Sequence, residues 1–177
     1  MRYYAGIGSR KTPSNALRVM FQVAAELSYY DYVLRSGGAE GADDYFERGC
    51  IFAGGRKEIY LPWKDFNDNK SELHEIDRQA YEMAREYHPA WDSLSPGGKS
   101  MMARNCYQIM GKDLNTPVDF VVCWTENAEK KGGTSQAIRI AEKKGIPVYN
   151  IADKSHALAL LEHINRIGNK FKKNKNG

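Results

Sequence analysis

The sequence predicts an α/β fold: one Rossmann-like domain with a mostly parallel sheet of about five strands and helices on both faces. Three observations carry this. Short apolar runs alternate with amphipathic segments along the chain. Several of those runs are apolar without the period-two alternation of a half-exposed strand, as expected of strands covered on both sides. Glycine-rich stretches follow strands and precede helices, which places them at the carboxyl edge of the sheet, where such folds bind ligands.

Each element has its own signal. Residues 3–7 read as a buried strand running into Gly6-Ile7-Gly8-Ser9-Arg10. Thr12 and Pro13 then suggest an N-cap and a first helical position. Leu17, Met20, Phe21, Ala24 and Leu27 recur at helical spacing. Residues 32–34 form a second strand, followed by Ser36-Gly37-Gly38-Ala39-Glu40-Gly41-Ala42-Asp43. Tyr45, Phe46, Cys50 and Ala53 mark a second helix closed by Gly54-Gly55. Residues 58–61 give a third strand, stopped by Pro62. Leu73, Ile76, Ala80, Met83 and Tyr87 predict an amphipathic helix ending before Pro89. Pro96-Gly97-Gly98 opens another, over residues 99–110. Residues 119–124 are the most strand-like run; a loop over 126–133 leads to a helix over 134–144. Residues 146–151 make a fifth strand, and a last helix follows with Asp153 or Ser155 as cap.

Composition sets the bounds. The chain has 177 residues and a net charge of +4 from 26 basic and 22 acidic side chains. Four of the lysines lie in residues 169–177, which hold no acid; without them the basic residues fall to 22, and the body is neutral. The reading is therefore a domain over residues 1–168 and a basic, flexible tail over 169–177. Three scattered cysteines and no ligand-spaced histidines argue against a disulfide framework or a metal site, and fit a reduced, cytoplasmic setting. No apolar run approaches the roughly 20 residues of a membrane helix.

Three glycine loops carry the chemistry. A strand-to-helix turn rich in glycine presents backbone N–H groups and a positive helix end, both suited to an anion. The first loop adds Ser9, Arg10 and Lys11; the third, Lys130-Lys131-Gly132-Gly133-Thr134-Ser135, adds two cations and two hydroxyls. Both are expected to hold phosphate. The second loop carries acids in its first helical turn, which would repel phosphate and suit a ribose hydroxyl or close packing. Neither the dinucleotide fingerprint nor a Walker A loop is present, and no cofactor is called for. Trp63, Trp124 and Thr125 lie at strand ends on this edge; for the two tryptophans base stacking and core packing both stand open. Tyr29, Tyr30 and Tyr32 are expected to pack on the sheet rim.

In order along residues 3–151, Gly6-x-Gly8-Ser9-Arg10, Ser36-Gly37-Gly38-Ala39-x-Gly41-Ala42-Asp43, Tyr60-Leu61-Pro62-Trp63, Ala103-Arg104-Asn105 and Gly132-Gly133-Thr134 resemble the SLOG superfamily. The nearest branches are the Rossmann domain of DNA-processing protein A (DprA/Smf) and the YspA-like small proteins; LONELY GUY (LOG) nucleotide hydrolases are more distant. The resemblance implies a nucleotide or nucleotide-derived ligand over the sheet, Arg104 and Asn105 near it, Thr134 on its phosphate, and a homodimer. The LOG glutamate two residues after Gly-Thr is Gln136 here, which cannot serve as a carboxylate. That favours a binding, sensing or sequestering protein. The alternatives are a LOG-like cleavage of an N-glycosidic bond, with Glu40, Glu126 or Glu129 supplying the carboxylate, and a DprA-like hold on single-stranded DNA aided by the lysine tail.

Overall fold

The computed structural model describes residues 1–130 and 132–175. Five strands form one sheet: β1 (Arg2–Gly8), β2 (Tyr32–Ser36), β3 (Lys57–Ile59), β4 (Phe120–Trp124) and β5 (Val148–Asn150). All pairings are parallel and the order is β3-β2-β1-β4-β5. The chain steps outward from β1 through β2 to β3, then returns to the other side of β1 to lay down β4 and β5. The topological switch point therefore falls between β1 and β4, paired from Tyr4 with Phe120 to Gly8 with Trp124. The α/β reading of the sequence holds.

Six helices cover both faces: α1 (Ser14–Tyr29), α2 (Ala42–Phe52), α3 (Arg78–Tyr87), α4 (Pro96–Met110), α5 (Gly133–Lys143) and α6 (Lys154–Lys175). Alternation along the central strands decides which side each residue serves. Tyr4, Phe120 and Val122 point to one core with Met20, Leu27, Phe46 and Leu160, beneath α1, α2 and α6. Ala5, Ile7, Val121 and Cys123 point to the other, with Ile109, Ile138 and Ile140, beneath α3 to α5. Both sides being buried explains why these strands read as continuous apolar runs.

Local signals predicted most elements, with instructive exceptions. Thr12 does not cap α1: Pro13 takes the cap position and the Thr12 hydroxyl instead donates to Ser9 O at 2.6 Å. That turns the threonine inward to brace the first glycine loop. The third strand lies at Lys57–Ile59, although Tyr60 N still donates to Ser36 O at 2.9 Å. The helix expected from Leu73 begins only at Arg78. Leu61 N donates to Leu73 O at 2.8 Å and the Ser71 hydroxyl to Ile59 O at 2.6 Å, so this stretch is held extended beside β3. Leu73 and Ile76 still reach the core from it. In α4, Ser95 accepts from Gly98 N at 3.1 Å and Pro96 occupies the first turn, as its glycine-bearing start required. Asp153 caps α6 by accepting from Ser155 N at 2.7 Å. Where a flexible tail was expected, α6 continues through Lys175. Phe171 anchors its last turns at 5.6 Å from Tyr29 and 5.5 Å from Tyr30. Tyr30 and Tyr32 are buried on the rim, and Tyr29 is exposed.

Candidate functional site

The loops after β1 and β4 part at the switch point, and a cavity of about 270 Å³ opens between them. Gly8, Ser9, Arg10 and Lys11 form one wall and Gly132, Gly133 and Thr134 the other. Ala39 and Asp43 enter from the second loop, and Arg104 and Asn105 from α4. Four segments far apart in sequence thus converge. Ser9 N donates to Trp124 O at 3.2 Å, and the Ser9 hydroxyl accepts from Lys11 N at 3.0 Å, which folds the first loop back over β4. Asn105 Nδ2 donates to Gly133 O at 3.0 Å and so fixes the opposite wall to α4. The α5 N-cap is Gly132, whose missing side chain offers the helix N–H groups no acceptor, and no acid lies in the first turn. That end keeps its positive potential for a ligand.

The floor is a buried pair of opposite charges. Arg104 Nη1 stands 3.6 Å from Asp43 Oδ2, longer than a hydrogen bond, with both side chains about 5% exposed or less. Burial pushes the Asp43 carboxyl up to about 6, against the pull of Arg104 and of the backbone N–H groups of Ala39, Gly8 and Gly37. Ala39 N donates to Asp43 Oδ2 at 3.3 Å. Burial likewise lowers Arg104 from its usual value. With its amide oxygen turned toward Arg104, Gln108 accepts from Nη1 at 3.1 Å and from Gly37 N at 2.9 Å, while its nitrogen donates to Asn105 Oδ1 at 3.0 Å. Arg104 Nε is buried with no partner.

Other sequence candidates have different work. Gly6 is glycine because a Cβ there would sit 2.5 Å from the Phe46 ring. The Ser36 hydroxyl donates to Gly6 O at 2.6 Å and ties β2 to β1. Gly37 packs under Arg104, and Gly38 and Glu40 line a separate hollow with Asn67 and Asn69. The Ser135 hydroxyl donates to Gly132 O, shaping the third loop from behind. Trp63 is 45% exposed, stacked edge-on against Phe66 at 5.1 Å, and Trp124 packs on the α1/α2/α6 core; neither lines the cavity. Thr125 is buried in a reciprocal clasp: its N donates to Asn150 Oδ1 at 3.2 Å and its hydroxyl accepts from Asn150 Nδ2 at 2.6 Å. Glu126 and Glu129 line an adjoining hollow of about 310 Å³ that shares Ser9, Lys11 and Gly132 with the cavity. Lys130, expected on phosphate, instead pairs with Glu142 at 2.6 Å on the far side of α5; Lys131 lies outside the described residues.

Gln136, where LOG-type hydrolases carry glutamate, is fully buried. Its Oε1 accepts from Asn105 Nδ2 at 3.2 Å and its Nε2 donates to Ala84 O at 3.4 Å, joining α5 to α4 and α3. Asp43 is therefore the carboxylate that lines the cavity among the described residues. Gln108 and Met102 were not foreseen. Gln108 had a signal, since it lies one helical turn beyond Arg104 on the same face of α4. Among the described residues no cluster of three or more His, Cys, Asp or Glu is placed to hold a metal, and no helix is long and apolar enough to cross a membrane.

No family model matches the chain, and no curated protein matches it. Solved structures do. DNA processing protein A from Helicobacter pylori, described for its single-stranded DNA binding mode, aligns over 97% of this chain and 79% of its own, with a TM-score of 0.58 and 19% identity. The molybdenum cofactor carrier protein of Chlamydomonas reinhardtii aligns over 94% of this chain and 99% of its own, with a TM-score of 0.54 and 15% identity. DNA processing protein A from Streptococcus pneumoniae aligns over 92% of this chain but 56% of its own, with a TM-score of 0.52 and 14% identity. The fold of this chain is that of DprA and of the cofactor carrier, in line with the SLOG and DprA-like resemblance of its motifs.

Proposed function

We propose that the protein binds a small, phosphate-bearing ligand of nucleotide type in the cavity between the β1 and β4 loops, as a sensor or sequestering protein. The observation that carries this is the convergence of the Gly8–Lys11 and Gly132–Thr134 walls over the buried Arg104. The walls supply cations, hydroxyls and an uncapped helix start, and the floor supplies the buried guanidinium of Arg104. A volume of about 270 Å³ suits a phosphate with its sugar, and the adjoining hollow past Gly132 leaves room for a base. A cofactor carrier of nearly the same length shares the fold, which supports binding without requiring catalysis. The hydrolase alternative has less support, because Glu40, Glu126 and Glu129 all line neighbouring hollows and Gln136 is a core residue.

Titration calorimetry against nucleoside mono-, di- and triphosphates, cyclic nucleotides and NAD-derived species tests the proposal. The expected result is binding of one class, competed by inorganic phosphate and lost in Arg10→Ala/Lys11→Ala. Native protein that binds none of them overturns it. A second reading, contact with single-stranded DNA, is favoured by one feature alone: Lys172, Lys173 and Lys175 lie on the last turns of α6, at the sheet edge opposite the cavity.

A further inference from the structure

The walls and the floor of the cavity differ chemically. On the Ser9–Lys11 and Gly132–Thr134 walls, N–H groups and cations favour phosphate. The Asp43 carboxylate lies on the floor, and a phosphate placed against it would meet like charge in a buried setting. The part of the ligand that meets Asp43 must therefore be something else. Asp43 Oδ2 is an acceptor, Arg104 is a donor, and the two are 3.6 Å apart, too far to satisfy one another by a direct hydrogen bond. A hydroxyl is the small group that answers both, donating to the carboxylate while accepting from the guanidinium.

We infer that Asp43 is a specificity-determining residue that, with Arg104, reads a free sugar hydroxyl of the ligand, so that the site takes ribose phosphates with an open 2′ or 3′ hydroxyl and rejects sugars without one. The inference rests on the nucleotide reading above and deepens it. Geometry beyond the pair supports it. Asp43 is fixed from behind by Ala39 N, and Gly37 has no side chain to come between Arg104 and the second loop. A buried polar pair built to bond a hydroxyl rejects the analogue lacking it, because its own groups are then left unpaired. An internal segment of a DNA strand offers no free hydroxyl, so the same pair turns the cavity away from the interior of a DNA strand.

The test compares the four ribonucleoside 5′-monophosphates with their 2′,3′-dideoxy counterparts by calorimetry on the wild-type protein. For each base that binds, the ribose form is expected to bind at least about tenfold more tightly. In Asp43→Asn, which keeps the shape but cannot match the carboxylate as an acceptor, that ratio should fall to within about threefold, with thermal melting confirming the fold. Ribose and dideoxy forms that bind within twofold of each other in the wild type overturn the inference while leaving the nucleotide reading intact. Absence of binding by all eight overturns the inference, and absence of binding across the wider nucleotide panel overturns both. The wild-type comparison decides the matter even if the variant fails to fold.

Discussion

A Cβ on Gly37 would lie 1.3 Å from Arg104 Nη1, so the glycine of the second loop and the arginine of α4 occupy one shared space. The contact joins the β2 end to the helix that floors the cavity, and it makes the glycine a packing requirement rather than a phosphate cradle. Gly37→Ala is expected to displace Arg104, to cost at least about 2 kcal/mol of stability, and to abolish ligand binding. Gly97→Ala is the control. Its added methyl meets only the Trp63 ring at 3.8 Å, within a helix, so stability should hold or rise by up to about 1 kcal/mol. Chemical denaturation of both variants checks the contrast; equal effects would refute the assigned contact.

Gln136→Glu restores the side chain seen in LOG-type hydrolases, and the structure predicts damage rather than activity. The position is fully buried, and Nε2 donates to Ala84 O, which a carboxylate oxygen could only repel. Loss is expected at about 1–3 kcal/mol. Burial would hold the new carboxyl above its unfolded value of about 4.3. The folded state then keeps the proton longer than the unfolded chain, so stability falls as pH rises through that interval. The melting temperature of the variant relative to wild type should drop further at pH 7.5 than at pH 4.5. A pH-independent difference would show that the side chain reaches solvent.

Much of this was legible in the sequence because local rules and global fold agree. The apolar runs at Tyr4–Ile7 and Phe120–Cys123 announce strands covered on both faces, and the glycine loops announce the ligand edge. What escaped was decided across the chain. Leu73 and Ile76 carry helical spacing but are held extended, because backbone and Ser71 bonds to the β3 end outweigh local propensity. Lys130 sits in an anion-loop motif, yet the winding of α5 brings Glu142 to its ammonium. Gln108 carries no motif; its spacing from Arg104 places it on the same face of α4, but its bond to Gly37 N depends on the closed fold. Asp43 was visible as an acid that would repel phosphate, but its pairing with Arg104 joins residues 61 positions apart and depends on the closed fold.

The thiols should be silent in the native state. Cys50, Cys106 and Cys123 are buried, and burial pushes Cys106 and Cys123 up to about 12 and raises Cys50 as well. Reaction needs an exposed thiolate, and these groups lack both properties. A colorimetric thiol reagent at pH 8 is expected to modify none of the three within minutes in buffer and all three in denaturant. Rapid labelling of one cysteine in buffer would mean that the helix or strand carrying it opens far more readily than its packing implies.

The lysine-rich end and the cavity lie at opposite edges of the sheet, so they can be separated by mutation. Lys175 rests over the rings of Phe171 and Tyr29, at 4.6 and 5.7 Å, which holds the last turn of α6 against the C-terminal end of α1. Charges on an ordered helix can follow a phosphate backbone without any part in nucleotide binding. Lys172→Gln/Lys173→Gln/Lys175→Gln is expected to leave nucleotide calorimetry unchanged. Any retention of a single-stranded oligonucleotide in a shift assay should weaken, with the slope of log affinity against log salt falling by about 2 units. The slope measures phosphates neutralised, so it reports directly on these lysines. An unchanged slope would exclude these three lysines of α6 from the nucleic-acid contact, and competition by the small ligand would then show whether that contact lies at the cavity.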